Sequence, residues 1–203
     1  MIKRFKCTKW LVVGLGNPEG KYFQTWHNLG FVAVEELATK LEGEFKKKGN
    51  QFLAQTQKNK TKIFLLKPLT YMNRSGEAVV SLSRKQRIEA ENIIVFTDDL
   101  HIDKGKIRIV KGGGSGGHNG IRSINEILKT NQYIKIKIGI KPETPPHSLS
   151  GYVLDKVPAS EKEPVDASIT YAVEAATQIL DGIQIEKVQA KFNSKNSGGR
   201  DDS

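Results

Sequence analysis

"LVVGLGNPEGKYFQTWHNLGF", residues 11 to 31, begins as a short apolar strand, breaks at a glycine-rich turn and ends in His27 and Asn28 ahead of a helical pattern. Strand, tight turn and helix in that order open an α/β protein, in which ligands gather beyond the carboxyl ends of the parallel strands. The glycines invite comparison with the dinucleotide fingerprint G-x-G-x-x-G, but Gly14, Gly16 and Gly20 are spaced G-x-G-x-x-x-G with Pro18 among them. Pro18 and Gly20 keep a helix from starting where a pyrophosphate would need it. No Asp or Glu lies between Glu44 and Glu77 to hold a ribose, so an NAD-linked oxidoreductase is disfavoured. What the turn does offer is Asn17, set between a strand and a rigid proline: either a plain Asx-turn or a carboxamide presented to a ligand.

Outward from this stretch, apolar bursts alternate with amphipathic segments. Val34, Leu37, Ala38 and Leu41 recur at helical spacing, and "FLAQTQ" and "KIFLLK" flank the polar turn "KNKT" as an edge hairpin. Ala78, Val79 and Leu82 mark a second helix, and "NIIVFTDD" is a buried strand ending in acid. "KIRIV" and "IKIKIGI" alternate as half-exposed strands with basic side chains on a polar face. Ile121, Ile124, Ile127 and Leu128 share one helix face, and Val165 to Leu180 form a long amphipathic helix after Pro164. The pattern implies a single α/β domain over residues 1–192, with a twisted, mixed and mostly parallel sheet sandwiched between helices. Residues 193–203, "NSKNSGGRDDS", have nothing to bury and read as a disordered tail, and 143–151, "ETPPHSLSG", reads as a surface loop and a candidate lid.

Composition narrows the function. The chain of 203 residues carries 32 Lys and Arg against 22 Asp and Glu, a net charge of +10 that favours a polyanionic partner such as nucleic acid. The lone Cys7 excludes an intrachain disulfide and suits a reducing compartment, where it reads as a small, partly buried apolar side chain. No apolar run is long enough to span a bilayer, so no membrane role is expected and the location reads as cytoplasmic, or organellar with any transit peptide already lost.

Chemistry-bearing residues cluster at the turns. Asn28, Asn73 and Asn119 stand near helix starts, where asparagine most often caps, yet each lies beside a histidine, a methionine or glycines. "KGGGSGGHNG", 111–120, has six glycines in the nine residues from Gly112, and lies between a strand and a helix with Lys111 and Arg122 at its flanks, an arrangement that suits phosphate or an oxyanion. Asp98 and Asp99 at a strand end could hold Mg²⁺, but the nearby glycine loop and the amides supply no further carboxylate ligand. From the residues alone, His27 is not preferred over His101, His118 or His147.

Taken together, "LVVGLGNPEGKYFQTWHNLGF", "LLKPLTYMNRSGEAV", "IIVFTDDLHIDKGKIRIVKGGGSGGHNGIRSI" and "IKIGIKP" followed by "GYVL" resemble bacterial-type peptidyl-tRNA hydrolases, in order and spacing, from about residue 10 to 183. The resemblance implies a monomer without metal or organic cofactor that hydrolyses the ester between a peptide and the terminal ribose of tRNA. It implies His27 as general base for water, oriented by Asp98, with Asn17, Asn73 and Asn119 as active-site amides and Tyr22 and Met72 lining the cleft. Asn119 would position the water or stabilise the oxyanion. Arg108, Lys111 and Lys137 would meet the acceptor stem, with His118 at the tRNA-contacting edge. Val110 stands where the family often has a basic residue, and Trp26 where it commonly has arginine; the tryptophan either stacks on a base or caps the core. The alternative is a non-catalytic RNA-binding relative acting in organellar intron splicing, against which the presence of His27, Asp98 and the three asparagines argues.

Overall fold

The computed structural model describes residues 8–194; Cys7 and residues 195–203 of the expected tail lie outside them. Seven strands form one sheet: β1 (Thr8–Gly14), β2 (Lys46–Lys47), β3 (Gln51–Lys58), β4 (Thr61–Pro68), β5 (Ile93–Asp99), β6 (Ile107–Lys111) and β7 (Ile134–Gly139). Their order is β2-β3-β4-β1-β5-β7-β6. The central strands β4, β1, β5 and β7 run parallel, whereas β3 and β6 run against their neighbours. The β3–β4 hairpin closes between Lys58 and Thr61 with Asn59 at φ 53°, a conformation that asparagine tolerates.

Strand alternation sends successive side chains to two cores. Val12, Ile94, Phe96, Ile136 and Ile138 pack under α1 (Leu29–Lys40), α5 (Lys162–Leu180) and α6 (Ile185–Ser194). Leu11, Val13, Phe64, Leu66 and Val95 pack under α2 (Ser75–Gln86) and α3 (Asn119–Leu128). A short helix, α4 (Leu149–Tyr152), occupies the end of the segment read as a loop. The disordered tail was expected from residue 193, but Asn193 belongs to α6, where its side chain accepts from the Ile109 amide at 2.8 Å and donates to the Ile109 carbonyl at 3.0 Å.

Close approach of α1 to the sheet depends on Gly30, where a Cβ would lie 2.6 Å from the Leu15 and Phe96 backbone. One expectation for β7 fails: Lys135 is wholly buried rather than on a solvated face. The strand lies between β5 and β6, and the 112–117 loop folds back so that the Lys135 ammonium donates to the Gly113 carbonyl at 3.1 Å.

Candidate active site

A cavity of about 630 Å³ opens at the carboxyl ends of β1, β4 and β5, where an open α/β sheet places its ligand crevice. Asn17 comes from the turn after β1, Met72 and Asn73 from the turn after β4, and Asp98 and Asp99 from the end of β5. The glycine-rich loop contributes Gly116, Gly117, His118 and Asn119 as it enters α3, and α4 with the residues after it adds Leu149, Ser150, Val153 and Leu154.

His27 sits in a single 3-10 turn before α1. The segment after α4 braces that turn: the His27 amide donates to the Val153 carbonyl at 2.8 Å, the Trp26 amide to Asp155 at 3.2 Å, and the Val157 amide to Gln24 at 2.9 Å. Trp26 is 2% exposed and stacks on Tyr152 with centroids 5.6 Å apart, so it caps the core and offers no face to a base.

The asparagines divide their atoms between structure and cleft. Asn28 accepts from the Asn17 amide at 2.8 Å and donates to the Asn17 carbonyl at 3.0 Å, gripping the turn instead of capping α1. Asn17 Oδ1 accepts from the Met72 amide at 3.0 Å, which ties the turns after β1 and β4 together. Asn119 Oδ1 accepts from Arg122 at 2.7 Å. The Nδ2 groups of Asn17 and Asn119, and the whole Asn73 carboxamide, have no hydrogen-bond partner among the described residues, so donors converge on the cleft.

The centre of the site is Asp98, 4% exposed and set between two imidazoles. His27 Nδ1 lies 3.0 Å from both carboxylate oxygens, and His118 Nε2 lies 3.0 Å from Oδ1. The rings are tilted at 47° with centroids 4.7 Å apart. Burial alone would raise the Asp98 pKa, but His118 and His27 outweigh it and hold the carboxyl well below the usual range. An ionised Asp98 only accepts, so His27 Nδ1 carries a proton, and in the neutral ring Nε2 keeps its lone pair. Nothing among the described residues bonds that Nε2.

His118 lines the cavity and shares the Asp98 carboxylate with His27. It is the N-cap of α3, with Nδ1 accepting from the Gly120 and Ile121 amides at 3.1 and 3.3 Å. Backbone amides can only donate, so the His118 proton is fixed on Nε2, facing Asp98. This also decides whether the cluster His27, Asp98 and His118, whose ligand atoms lie within 4.8 Å of one another, suits a metal. A ligating Nε2 needs its lone pair free and a proton on Nδ1, the reverse of what the helix start imposes. The donor set does not fit a divalent ion. Nor does the Asp98 and Asp99 pair: Asp99 accepts from Lys137 Nζ at 2.7 Å and from the His101 amide at 2.8 Å.

Other expected site residues fall outside the cavity. Tyr22 stands on a separate 3-10 turn with Lys21 Nζ 4.9 Å from its ring centroid, and does not line the cleft. Tyr71, which the sequence reading passed over, lines it instead, with its hydroxyl donating to Glu19. Arg108 and Lys111 are exposed on the edge strand β6, and Lys137 is held by Asp99 beneath the glycine loop. His101 lines the cavity from the exposed turn after β5, and His147 is exposed outside it.

Comparison with known proteins agrees with this architecture. A family model described as peptidyl-tRNA hydrolase matches residues 11–199. A peptidyl-tRNA hydrolase of Prosthecochloris aestuarii is 39% identical over 189 residues, covering 93% of this chain and 96% of its own. One from a Thermoanaerobacter species is 41% identical over 186 residues, covering 91% and 99%. The crystal structure of the Acinetobacter baumannii peptidyl-tRNA hydrolase superposes with a TM-score of 0.85 at 35% identity, covering 92% of this chain and 95% of that one.

Proposed function

Because the chain belongs to the peptidyl-tRNA hydrolase family, and is thus a hydrolase whose substrate is peptidyl-tRNA, we propose that His27 is the general base of the reaction and that Asp98 orients it. The observation that carries this reading is the contact of His27 Nδ1 with both oxygens of the buried Asp98, which in the neutral ring leaves Nε2 as the acceptor at the cavity wall. Nε2 takes a proton from water as the oxygen attacks the ester carbonyl; Asp98 stabilises the imidazolium; and the imidazolium returns the proton to the departing ribose oxygen. Asn119 Nδ2 serves the water or the developing oxyanion. Asn17 and Asn73 hold the peptide backbone, which suits a substrate whose side chains vary. Met72 forms apolar wall.

Arg108 and Lys111, exposed on β6 where it leads into the glycine loop, would meet acceptor-stem phosphates, with Lys137 joining them where a phosphate displaces its partner Asp99. Its substrate belongs to translation, which supports the cytoplasm, and the enzyme is read as a monomer. No helix among the described residues is long and apolar enough to cross a membrane.

The test is cleavage of an N-blocked aminoacyl-tRNA by the wild type and by His27→Ala. The variant loses at least ~10² in rate, as removal of a general base does. Equal rates in a folded variant would remove His27 from the mechanism.

A further inference from the structure

A loop with six glycines in nine residues has unusual backbone freedom, and Gly112, Gly113, Gly116 and Gly117 here take φ of 76°, 81°, 59° and 83°. A Cβ added at Gly113, Gly114 or Gly117 would meet nothing within 4 Å, so the loop gains little from packing. Yet it builds one wall of the cleft through Gly116, Gly117 and the residues that follow. Its backbone ties are few: the Gly112 amide donates to Tyr133 at 3.2 Å, and the His118 amide to Ser115 at 3.1 Å. Between them a single side chain among the described residues bonds the loop backbone, Lys135 through the Gly113 carbonyl at 3.1 Å.

Lys135 is a costly way to fill that space. Its ammonium is enclosed, 4.5 Å from the Tyr133 ring centroid, and the Tyr133 hydroxyl in turn donates to Asn125 of α3 at 2.8 Å. Its neighbours across the sheet are Val95 on β5 and Val110 on β6. On its face of the sheet stand Lys137, engaged by Asp99, and Arg108 opposite Lys137; no carboxylate among the described residues pairs with Lys135. An aliphatic side chain would fill such a position without the desolvation cost.

We propose that Lys135 is a positioning residue for the hydrolysis, its ammonium holding the glycine-rich loop by the Gly113 carbonyl and so setting where Gly116 and Gly117 stand in the cleft. Asp98 and His27 do not depend on this tie, because α3 holds His118 through its own amides. Losing the tie therefore weakens substrate binding more than it slows chemistry. Burial, with a smaller effect from Lys137, pushes the Lys135 pKa down to about 8, so the charged anchor is lost as pH rises through that value.

The inference rests on the cleft being where peptidyl-tRNA is hydrolysed, and two readouts separate the two claims. Lys135→Met keeps the length and removes the donor; Lys135→Arg keeps a charge at every pH. In the ligand-free protein, backbone NMR order parameters of residues 113–117 fall below ~0.6 in Lys135→Met and stay near wild type in Lys135→Arg. With N-blocked aminoacyl-tRNA, KM rises about tenfold in Lys135→Met with kcat within about threefold, the size expected for one hydrogen bond from a charged donor. The wild-type KM also rises above pH 8, and that of Lys135→Arg does not. An unchanged loop in Lys135→Met, or a loss confined to kcat, overturns the proposal. A loosened loop in an enzyme whose His27→Ala variant is fully active upholds the anchor and overturns the catalytic reading alone.

Discussion

Replacing Asp98 with Asn leaves one acceptor and one donor where a carboxylate had served two imidazoles. His118 cannot adapt, because the Gly120 and Ile121 amides keep its proton on Nε2. The amide oxygen of residue 98 must therefore face His118, and the NH₂ takes the position 3.0 Å from His27 Nδ1. The arrangement in which every group is paired has this NH₂ donating to an unprotonated Nδ1, which moves the His27 proton to Nε2. A base in that tautomer cannot accept a proton from water. Restoring the productive tautomer leaves His27 Nδ1 to share with His118 the one remaining oxygen, 3.0 Å from each, while the new NH₂ opposes it as a donor in a buried site, about 2–3 kcal/mol, and the lost carboxylate removes a similar amount of imidazolium stabilisation. With tenfold per 1.4 kcal/mol, Asp98→Asn loses about 10³–10⁴ in single-turnover cleavage of N-blocked aminoacyl-tRNA. Removing the second donor frees the amide to turn. The double variant Asp98→Asn/His118→Ala recovers about 10–100-fold over Asp98→Asn, although it gives up a helix cap of about 1 kcal/mol. The ring ¹⁵N shifts of His27 report the tautomer directly. A folded double variant slower than Asp98→Asn, or an Asp98→Asn enzyme within tenfold of wild type, would refute the shared-carboxylate argument.

Further outcomes follow from the same contacts. Asp98 has a folded pKa below its unfolded value of 3.8, so its ionisation stabilises the fold above that value and ceases to as pH falls through the folded one. The gap in urea midpoint between wild type and Asp98→Asn is accordingly flat near neutrality and closes below pH 3.8; a gap that widens in acid contradicts it. Lys135 has the opposite sense, with a pKa of about 8 folded against 10.5 unfolded, so the folded chain binds fewer protons in that window and wild-type stability rises between them. Lys135→Met removes that slope, as urea titrations at pH 7 and 10 would show. Gly30→Ala forces a Cβ to 2.6 Å from the Leu15 and Phe96 backbone and costs about 1–3 kcal/mol in chemical denaturation, with a loss of activity because the Trp26–Asn28 turn leads directly into α1. Trp26→Phe lowers thermal stability and leaves KM for the tRNA substrate unchanged, since the indole is buried against Tyr152; a raised KM at wild-type stability would restore a base-stacking role.

How much of this was legible in the sequence depended on what sets each position. Strand and helix periods report which side of an element meets the core, and they placed β1, β5, α1, α3 and α5 correctly because those elements pack by their own alternation. They do not report what covers a face. "IKIKIGI" reads correctly as a strand with basic residues on one side, but the loop returning over that side is what encloses Lys135. The last helix carries Ile185, Val188 and Phe192 at helical spacing, with Val188 and Phe192 buried, a signal that was present and unread. "GYVL" was recognisable as a motif without its physical purpose, which is to brace His27 from more than a hundred residues away. His118 was the hardest to place, because its role depends on the path of a glycine loop that no periodicity encodes. Once that path ends in the first turn of α3, two backbone amides settle the tautomer of His118, His118 and His27 share the carboxylate of Asp98, and the free lone pair of His27 faces the cavity. The chemistry of the residue that could not be singled out from sequence alone is thus fixed, two contacts removed, by the start of a helix that could.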